Sequence, residues 1–285
     1  FLDCANSYGS NLYFGKEQAR DKGNVERVLG RVLKRRRHDV VITTKVHSPI
    51  GEGPNDRGAS RYHIMREVSR SLRRLETDHI DIYLLHQFDD NVPLDETLRA
   101  LDDLVTQGKI RYVGCCNFAA WQVCKALWTQ DRLGADPFIC VQNQYNLMNR
   151  SLEKEMFGLV RDQGLGVMVY SPLAIGLLSG VYPANDVPAE STPWAGQQEA
   201  FASIMESGGS ALLGIVREIA EDRGKTMAQV AVNWVLSHPE VTVAISGSDT
   251  VGQVDDNLGA LGWSLSDAEV ACLNEASEGL AHSEP

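Results

Sequence analysis

Short runs of β-branched and other apolar residues alternate with longer amphipathic segments along the chain. A short apolar run bounded by turn residues predicts a buried strand, whereas apolar residues at helical spacing predict a helix. The predicted strands are an opening one that ends at Asp3 and the runs 40–44, 80–85, 110–115, 138–142, 166–170 and 241–245. Because strands that alternate with helices form βα units around a parallel sheet, the sequence predicts an α/β fold.

Amphipathic segments separate these strands. They predict helices at 23–34, 60–75, 94–107, 119–132, 151–163, 210–223, 226–237, 251–261 and 266–276. Ser60 is placed to cap the second helix, and Gly108 to end the third. An irregular stretch from Ser171 to about Glu199 contains Pro172, Pro183, Pro188 and Pro193, and loops of that length are usually lids or disordered segments.

The number of predicted strands is one short of a closed eight-stranded barrel. Seven strands are predicted, and a (β/α)8 TIM barrel needs one more. We expect that strand upstream of Phe1, since the chain starts inside an apparent strand without a methionine. No linker is visible, so one barrel domain over 1–285 is expected. The alternative, an open doubly wound sheet, usually carries a Gly-x-Gly-x-x-Gly turn after an early strand, and none is present.

Composition excludes several classes of function. A net charge of -11 argues against a nucleic-acid partner, because phosphates require a basic surface. No run of about 18 apolar residues predicts a membrane span. The six cysteines are scattered without Cys-x-x-Cys spacing, which favours reduced thiols, no metal site and a cytoplasmic location. The composition is therefore that of an ordinary soluble globular protein.

Four chemically active side chains stand at or just after the ends of predicted strands: Asp3, Tyr8, Lys45 and His86. In a parallel barrel the carboxyl ends of all strands lie on one rim, where functional groups collect. Each of these residues alone has an ordinary structural explanation, such as a loop cap, a packed aromatic ring or a solvated lysine. Together they predict a site.

The ordered motifs of the chain resemble those of the aldo-keto reductases over nearly its whole length. The longer branch of that family, which includes bacterial sugar and ketone reductases and the β subunits of potassium channels, is the more similar. The motifs are Phe1-Leu2-Asp3, Ser7-Tyr8-Gly9, Thr44-Lys45, Ser71-Leu72-Arg73-Arg74-Leu75, Thr77-Asp78, Ile80-Asp81, Leu85-His86, Gly108-Lys109-Ile110-Arg111-Tyr112-Val113-Gly114, Gln142, Tyr145-Asn146, Tyr170-Ser171-Pro172-Leu173-Ala174, Gly176-Leu177-Leu178 and Asn257-Leu258-Gly259-Ala260.

The resemblance implies a catalytic tetrad of Asp3, Tyr8, Lys45 and His86 for hydride transfer between a nicotinamide cofactor and a carbonyl or alcohol. Tyr8 would supply the proton. Bringing a phenol from a pKa of about 10 to near neutrality takes roughly 3 to 4 kcal/mol, which the Lys45 ammonium would provide while Asp3 holds it. The histidine also favours carbonyl reduction, since family members that reduce carbon–carbon double bonds in steroids carry glutamate there.

The same resemblance implies cofactor contacts in both halves of the chain. Asn117 and Gln142 would hydrogen-bond the nicotinamide carboxamide, and Tyr170 would stack on its ring. Cys116 stands where the family usually has serine, and a thiol is a poor hydrogen-bonding group. The remaining expected contacts are Ser171 and Leu173 at the pyrophosphate and Gly247, Asp249, Gln253, Asp256 and Asn257 near the adenosine.

Asp249 is the most informative departure from the family pattern. Members that prefer NADP(H) typically carry arginine there, which pairs with the 2′-phosphate. A carboxylate would repel that phosphate and accept from a free ribose hydroxyl, so NAD(P)(H) is expected with NAD(H) favoured. The alternative interpretation is that Asp249 only caps the helix that starts near Thr250.

Substrate selection is the least determined feature. The rim loops 51–59 and 88–91 and Trp194 are expected to shape the pocket, and Val181 replaces a lysine common after Gly-Leu-Leu-x-Gly. An aldehyde, ketone or sugar-like carbonyl is expected as the small-molecule partner, without a nucleic-acid or membrane partner, and the oligomeric state stays open. A second hypothesis is a nicotinamide-binding regulatory subunit with little turnover.

Overall fold

The computed structural model describes residues 1–9, 22–182, 194 and 197–280. The chain forms two compact units, one of Phe1–Gln142 with Gln163–Leu165 and one of Asn143–Asp162 with Gly166–Pro285. Part of the predicted irregular stretch, 183–193 with its last three prolines, lies outside the described residues. None of the helices in the described ranges is long and apolar enough to cross a bilayer.

In the first unit, parallel strands alternate with helices as the sequence predicts. The elements are β1 Leu2–Asp3, α1 Asn24–Leu33, β2 Ile42–Val46, α2 Arg61–Leu75, β3 Ile80–Leu85, α3 Leu94–Thr106, β4 Ile110–Cys116, α4 Ala120–Leu133 and β5 Phe138–Gln144. Each of the five strands pairs with the next in parallel. The carboxyl ends of these strands therefore lie along one edge of the sheet.

β2 starts two residues later than predicted. A short 3₁₀ turn, Arg37–Asp39, directly precedes this region, and Val41 is 43% exposed. Pairing begins at Ile42, which lies opposite Leu2. The apolar run alone could not locate this start, because two of its valines belong to the connection.

α2 forms as its sequence predicts. The Ser60 hydroxyl accepts a hydrogen bond from the His63 amide at 3.3 Å and caps the N-terminus. Val68 and Leu75 lie on the buried face of the helix. The chain leaves the helix at Glu76, which adopts the left-handed conformation with φ of 51°.

Gly30 allows α1 to lie close against the end of α2. A Cβ atom at this position would lie 2.5 Å from the Arg74 carbonyl oxygen and 2.9 Å from the Leu75 carbonyl oxygen. Both atoms belong to the backbone, so neither can move aside as a flexible side chain could. The absence of a side chain therefore sets the separation of the two helices.

The second unit contains two further strands, β6 Gly166–Tyr170 and β7 Val241–Ile245. Its helices are α5 Met156–Gln163, α6 Gln198–Ile204, α7 Ser210–Arg223, α8 Met227–Leu236, α9 Val251–Leu258 and α10 Asp267–Ala276. β6 and β7 pair in parallel, with Tyr170 opposite Ile245. The helix predicted over 151–163 is divided into a 3₁₀ turn, Ser151–Glu153, and α5. α6 was not predicted, since it is short and is followed by a kink at Gly208 with φ of 119°.

A polar cluster stabilises the interior of the second unit. The Tyr145 hydroxyl donates to Glu153 Oε1 at 2.6 Å and lies 2.9 Å from His238 Nε2. Arg150 holds both oxygens of the same carboxylate at 2.7 Å, and the Tyr145 ring stacks on Trp234. Burial, followed by the Glu153 carboxylate, raises the pKa of the Tyr145 phenol, which therefore stays protonated.

We expect Gly30→Ala to lower the free energy of unfolding by about 1–3 kcal/mol, because its Cβ would overlap backbone atoms of α2. Gly214→Ala, inside α7 with open space around its Cβ position, is the matched control and should raise that free energy by about 0.5–1 kcal/mol. Urea unfolding of both variants measures the difference. Equal effects of the two substitutions would contradict close packing at Gly30.

Candidate active site

The first unit brings together the catalytic candidates that the sequence identifies at its strand ends. Asp3 is the last residue of β1, Lys45 is the next to last residue of β2, and His86 directly follows β3. Tyr8 lies on the loop after β1, and its amide donates to the Ala5 carbonyl at 3.1 Å. Parallel pairing puts all four residues at the carboxyl edge of the sheet.

Lys45 is fully buried, and each of its three ammonium protons has an acceptor. Nζ lies 2.6 Å from Asp3 Oδ2, 2.9 Å from the Cys4 carbonyl oxygen and 3.3 Å from the Tyr8 hydroxyl oxygen. Burial disfavours the ammonium form, but the Asp3 carboxylate together with the Tyr8 and Cys116 side chains outweighs it, so the pKa of Lys45 is raised. The side chain is therefore a permanent positive charge beside the phenol.

Three side chains hold the Asp3 carboxylate from two other strands. Besides Lys45, the Thr43 hydroxyl donates to Oδ1 at 2.5 Å and Gln142 Nε2 donates to Oδ1 at 2.9 Å. The sequence predicted neither contact, although the polar Thr43 inside a buried strand, two residues before a lysine, was a visible signal. The orientation of Asp3 is consequently fixed by β2 and β5 together.

The surroundings of Tyr8 favour the protonated phenol. Burial raises its pKa, and the Lys45 ammonium opposes that rise without cancelling it, while the Asp3 charge adds to it. The sequence predicted a pKa lowered toward neutrality, and the direction found here is the opposite. The reason is that desolvation of a phenolate outweighs one ammonium at 3.3 Å which already faces a carboxylate. Such a group can donate a proton over the whole physiological range.

His86 is a neutral imidazole beside the phenol. Its ring packs edge-on to the Tyr8 ring with centroids 5.8 Å apart, and its Nδ1 lies 3.2 Å from the Ser48 hydroxyl. Burial, and next the positive charge of Lys45, lower the pKa of His86 from 6.5 to about 3. It can thus serve as a neutral hydrogen-bonding group.

Asn117 and Gln142, expected as carboxamide contacts, lie at the same edge of the sheet. Asn117 follows β4 in the left-handed conformation with φ of 59°, which asparagine tolerates better than most residues. Its Nδ2 donates to the His86 carbonyl at 3.0 Å, and its backbone amide donates to the Gln142 carbonyl. Burial raises the pKa of the Cys116 thiol to about 12, and this thiol lies 3.5 Å from Gln142 Oε1.

Two buried carboxylates that the sequence did not identify, Glu67 and Glu26, hold residues close in the chain to two of the four catalytic candidates. Glu67 accepts from Asn6 Nδ2 at 3.2 Å, and the Asn6 amide donates to the Lys45 carbonyl. Glu26 accepts from the Thr44 hydroxyl at 2.6 Å. These contacts fix the loop that carries Tyr8 and the residue before Lys45.

In the second unit, the expected nicotinamide and pyrophosphate contacts follow β6. Tyr170 ends the strand, and Ser171 adopts φ of 53° while its carbonyl accepts from Asn146 Nδ2 at 2.9 Å. Leu173 is half-buried. Ala174 and Ile175 also have positive φ, so this turn is tightly constrained.

The segment at the N-terminus of α9 contains the remaining expected contacts, and Thr250 caps this helix. The Thr250 hydroxyl accepts from the Gln253 amide, and Gln253 Oε1 accepts from the Asp249 amide at 2.6 Å. The alternative interpretation of Asp249 as the cap is therefore wrong. Its exposed side chain has no hydrogen-bond or ion-pair partner within the described part of the chain.

Asn257 and Asp256 have different surroundings. Asn257 Nδ2 donates to the hydroxyls of Ser246 and Ser248 at 2.9 and 3.1 Å, on either side of Gly247. Asp256 instead accepts from Thr226 Oγ1 and Gln229 Nε2 at the N-terminus of α8. Asp256 therefore has a structural task at the start of that helix.

Trp194 is buried rather than presented to solvent. Its indole Nε1 donates to the Ile175 carbonyl at 3.3 Å, and its ring meets Phe201 edge-on. Val181, by contrast, is 63% exposed. Among the residues described, no group of three or more His, Cys, Asp or Glu side chains could hold a metal ion.

The lowered pKa of His86 predicts acid sensitivity. Below about pH 6.5 the His86 imidazole binds a proton in the unfolded chain, whereas in the folded chain it stays neutral down to about pH 3. The contribution of His86 to the free energy of unfolding is therefore full above about pH 6.5 and is lost progressively as the pH falls from there to about 3. From about pH 7.5 to about pH 5 wild type should lose about 2 kcal/mol more than His86→Gln. Ser48→Ala keeps the imidazole and should follow wild type. Urea unfolding at each pH measures the free energy of unfolding. If it fell equally with pH in wild type and His86→Gln, the lowered pKa of His86 would be contradicted.

Comparison with known proteins identifies the family. Residues 1–278 match the aldo/keto reductase family. The chain is 35% identical to an uncharacterized oxidoreductase, YrpG, of Bacillus subtilis (98% of this chain, 83% of the relative). It is 32% identical to a probable voltage-gated potassium channel subunit beta of Arabidopsis thaliana (91% and 80%) and 30% identical to L-glyceraldehyde 3-phosphate reductase of Escherichia coli (91% and 74%). The chain belongs to the aldo/keto reductase family of oxidoreductases, which use nicotinamide cofactors and have the (β/α)8 barrel fold that the sequence predicts.

Proposed function

We propose that this protein transfers a hydride between a nicotinamide cofactor and an aldehyde, ketone or sugar-like carbonyl, with Tyr8 as general acid in reduction and general base in oxidation. The observation that carries the proposal is the Tyr8 hydroxyl 3.3 Å from the buried ammonium of Lys45. A carbonyl gains negative charge on oxygen as hydride arrives, so a proton donor beside that oxygen lowers the barrier. The E. coli relative, by its name, reduces a sugar phosphate aldehyde, which supports this substrate class.

Each member of the tetrad has a distinct task in this proposal. Tyr8 gives its proton to the substrate oxygen, and Lys45 stabilises the phenolate that remains. Asp3 keeps the ammonium charged and aimed at the hydroxyl. His86, held neutral, orients the substrate oxygen without adding a competing charge.

The donor set is suited to a nicotinamide dinucleotide, which supplies the hydride when bound. Asn117 and Gln142 present amide groups at the edge that carries the tetrad, and these match the two hydrogen-bonding groups of a carboxamide. In the second unit, Tyr170, Ser171, Leu173 and Gly247 are proposed contacts, with the hydroxyls of Ser246 and Ser248 available to phosphate or ribose oxygens.

We further propose that NAD(H) is preferred over NADP(H) because of Asp249. Its carboxylate does not cap α9, which leaves it available to accept from a ribose hydroxyl. Gln253 holds the backbone at this position through the Asp249 amide. A 2′-phosphate there would meet a like charge.

A regulatory subunit with little turnover is the second candidate. The plant relatives named as potassium channel subunits support it, at 32% and 33% identity. It predicts cofactor binding without oxidation of NADH or NADPH by any substrate. Steady-state turnover with a panel of aldehydes, ketones and oxidised sugars separates the two candidates.

We expect Tyr8→Phe to lower kcat/KM for carbonyl reduction by roughly 10²–10⁴-fold, the contribution of a positioned general acid. Cofactor affinity, measured by fluorescence titration, should be unchanged because the ring remains. Tyr83→Phe is the matched control, since the Tyr83 hydroxyl is buried and has no hydrogen-bond partner in the described ranges. Full activity in Tyr8→Phe would exclude the proposed acid, and absence of wild-type turnover on the whole panel would favour the regulatory subunit.

Asp249→Arg should raise the ratio of kcat/KM for NADPH to that for NADH by about tenfold or more, since a guanidinium attracts the phosphate that a carboxylate repels. Asp255→Arg makes the same charge change at an exposed position of α9 and should leave the ratio near that of wild type. A wild-type enzyme that clearly prefers NADPH would contradict the NAD(H) proposal. So would an equal shift in both variants.

A further inference from the structure

A groove between α1 and α2 is lined by arginines although the chain carries a net charge of -11. Its volume is about 500 Å³, within the range of small-molecule sites. The lining residues are Arg27, Arg31, Arg70, Arg73, Arg74 and Glu76. Five guanidinium groups that face one concave space need an explanation, because like charges repel each other.

The helices themselves impose this convergence. Arg27 and Arg31 are four residues apart on α1 and therefore share one face. On α2, Arg70, Arg73 and Arg74 are spaced by three and four residues and also share a face. Gly30 brings the two helices close together, so both faces border the same space.

Buried carboxylates neutralise two of the five arginines. Arg74 Nε donates to Glu26 at 2.5 Å, and Arg70 donates to Glu67 at 2.8 Å. Both glutamates are fully buried. These pairs fix the inner wall of the groove and do not reduce the charge of the other three arginines.

The remaining charges are not balanced within the described ranges. Arg27 donates to the Lys22 carbonyl, and neither Arg31 nor Arg73 has a carboxylate partner among the residues described. Glu76, the one acidic residue of the lining, faces Lys34 at 3.2 Å. Three exposed guanidinium groups thus remain to interact with a ligand.

We propose that this groove is a binding site for a small anion with two or more linked phosphate groups. Guanidinium groups match phosphate oxygens in two-pronged hydrogen bonds, and several of them call for a multivalent anion. The concave shape and limited volume fit a small molecule. A long polyanion such as nucleic acid would be repelled by the acidic remainder of the chain. The site is separate from the tetrad and does not depend on the proposed reaction.

Isothermal titration with inorganic tripolyphosphate tests the proposal on the full chain in the presence of saturating NADH, which blocks the cofactor site. The informative variant is Arg31→Gln combined with Arg73→Gln. Arg35→Gln, an exposed arginine next to the end of α1 that does not line the groove, is the matched control. Circular dichroism and thermal melting verify that all variants fold as wild type does.

We expect one site per chain, with affinity lowered by about tenfold for each arginine removed and unchanged in the control. Sulfate at equal ionic strength should bind far more weakly, because it cannot span several guanidinium groups. Three results would overturn the proposal: no heat of binding in wild type, equal binding of sulfate and tripolyphosphate, or equal affinity in the double variant and the control.

Discussion

The buried ammonium of Lys45 is the group on which the geometry of the candidate active site depends. Removing such a charge from water costs several kcal/mol unless close acceptors replace the lost hydration. Asp3, the Cys4 carbonyl and the Tyr8 hydroxyl provide those acceptors at 2.6 to 3.3 Å. Since Gln142 and Thr43 fix Asp3 in turn, one charge joins the ends of β1, β2 and β5. Loss of the carboxylate would leave this ammonium without its strongest partner.

At the Tyr8 phenol, the attraction of the Lys45 ammonium for a phenolate opposes the effects of burial and of the Asp3 charge. An ammonium 3.3 Å away attracts a phenolate by about 5 kcal/mol at an effective dielectric constant of about 20. Lowering a phenol pKa to neutrality takes about 4 kcal/mol. Burial and the Asp3 charge nevertheless raise the pKa of Tyr8. The balance therefore favours the protonated phenol in the resting protein. In the proposed reaction, the Lys45 ammonium stabilises the phenolate as the proton leaves.

The sequence predicted the parts of the structure that follow from local pattern. Strands 80–85, 166–170 and 241–245 and the Ser60 cap depend on near neighbours, and strand-end logic located the tetrad. The hydrogen bond from Gln142 to the Asp3 carboxylate was not predictable, because the two residues are 139 positions apart in the sequence. The helix cap was also predictable, although Asp249 was considered for it only as an alternative. Thr250 and Gln253 form a capping box, a pattern already visible in the sequence, and this leaves no capping task for Asp249.

The buried glutamates explain why the region behind the tetrad contains so much charge. Glu26 accepts from Thr44 on one side and from Arg74 on the other, and Glu67 does the same between Asn6 and Arg70. Burying a carboxylate costs free energy unless it is paired and hydrogen-bonded, and the guanidinium groups of Arg74 and Arg70 supply these contacts. The arginines in turn have to reach inward from α2, which places their neighbour Arg73 at the groove that Arg27 and Arg31 of α1 also line. Two of the five groove arginines, Arg70 and Arg74, are thus explained by the buried glutamates, and Arg27, Arg31 and Arg73 are not.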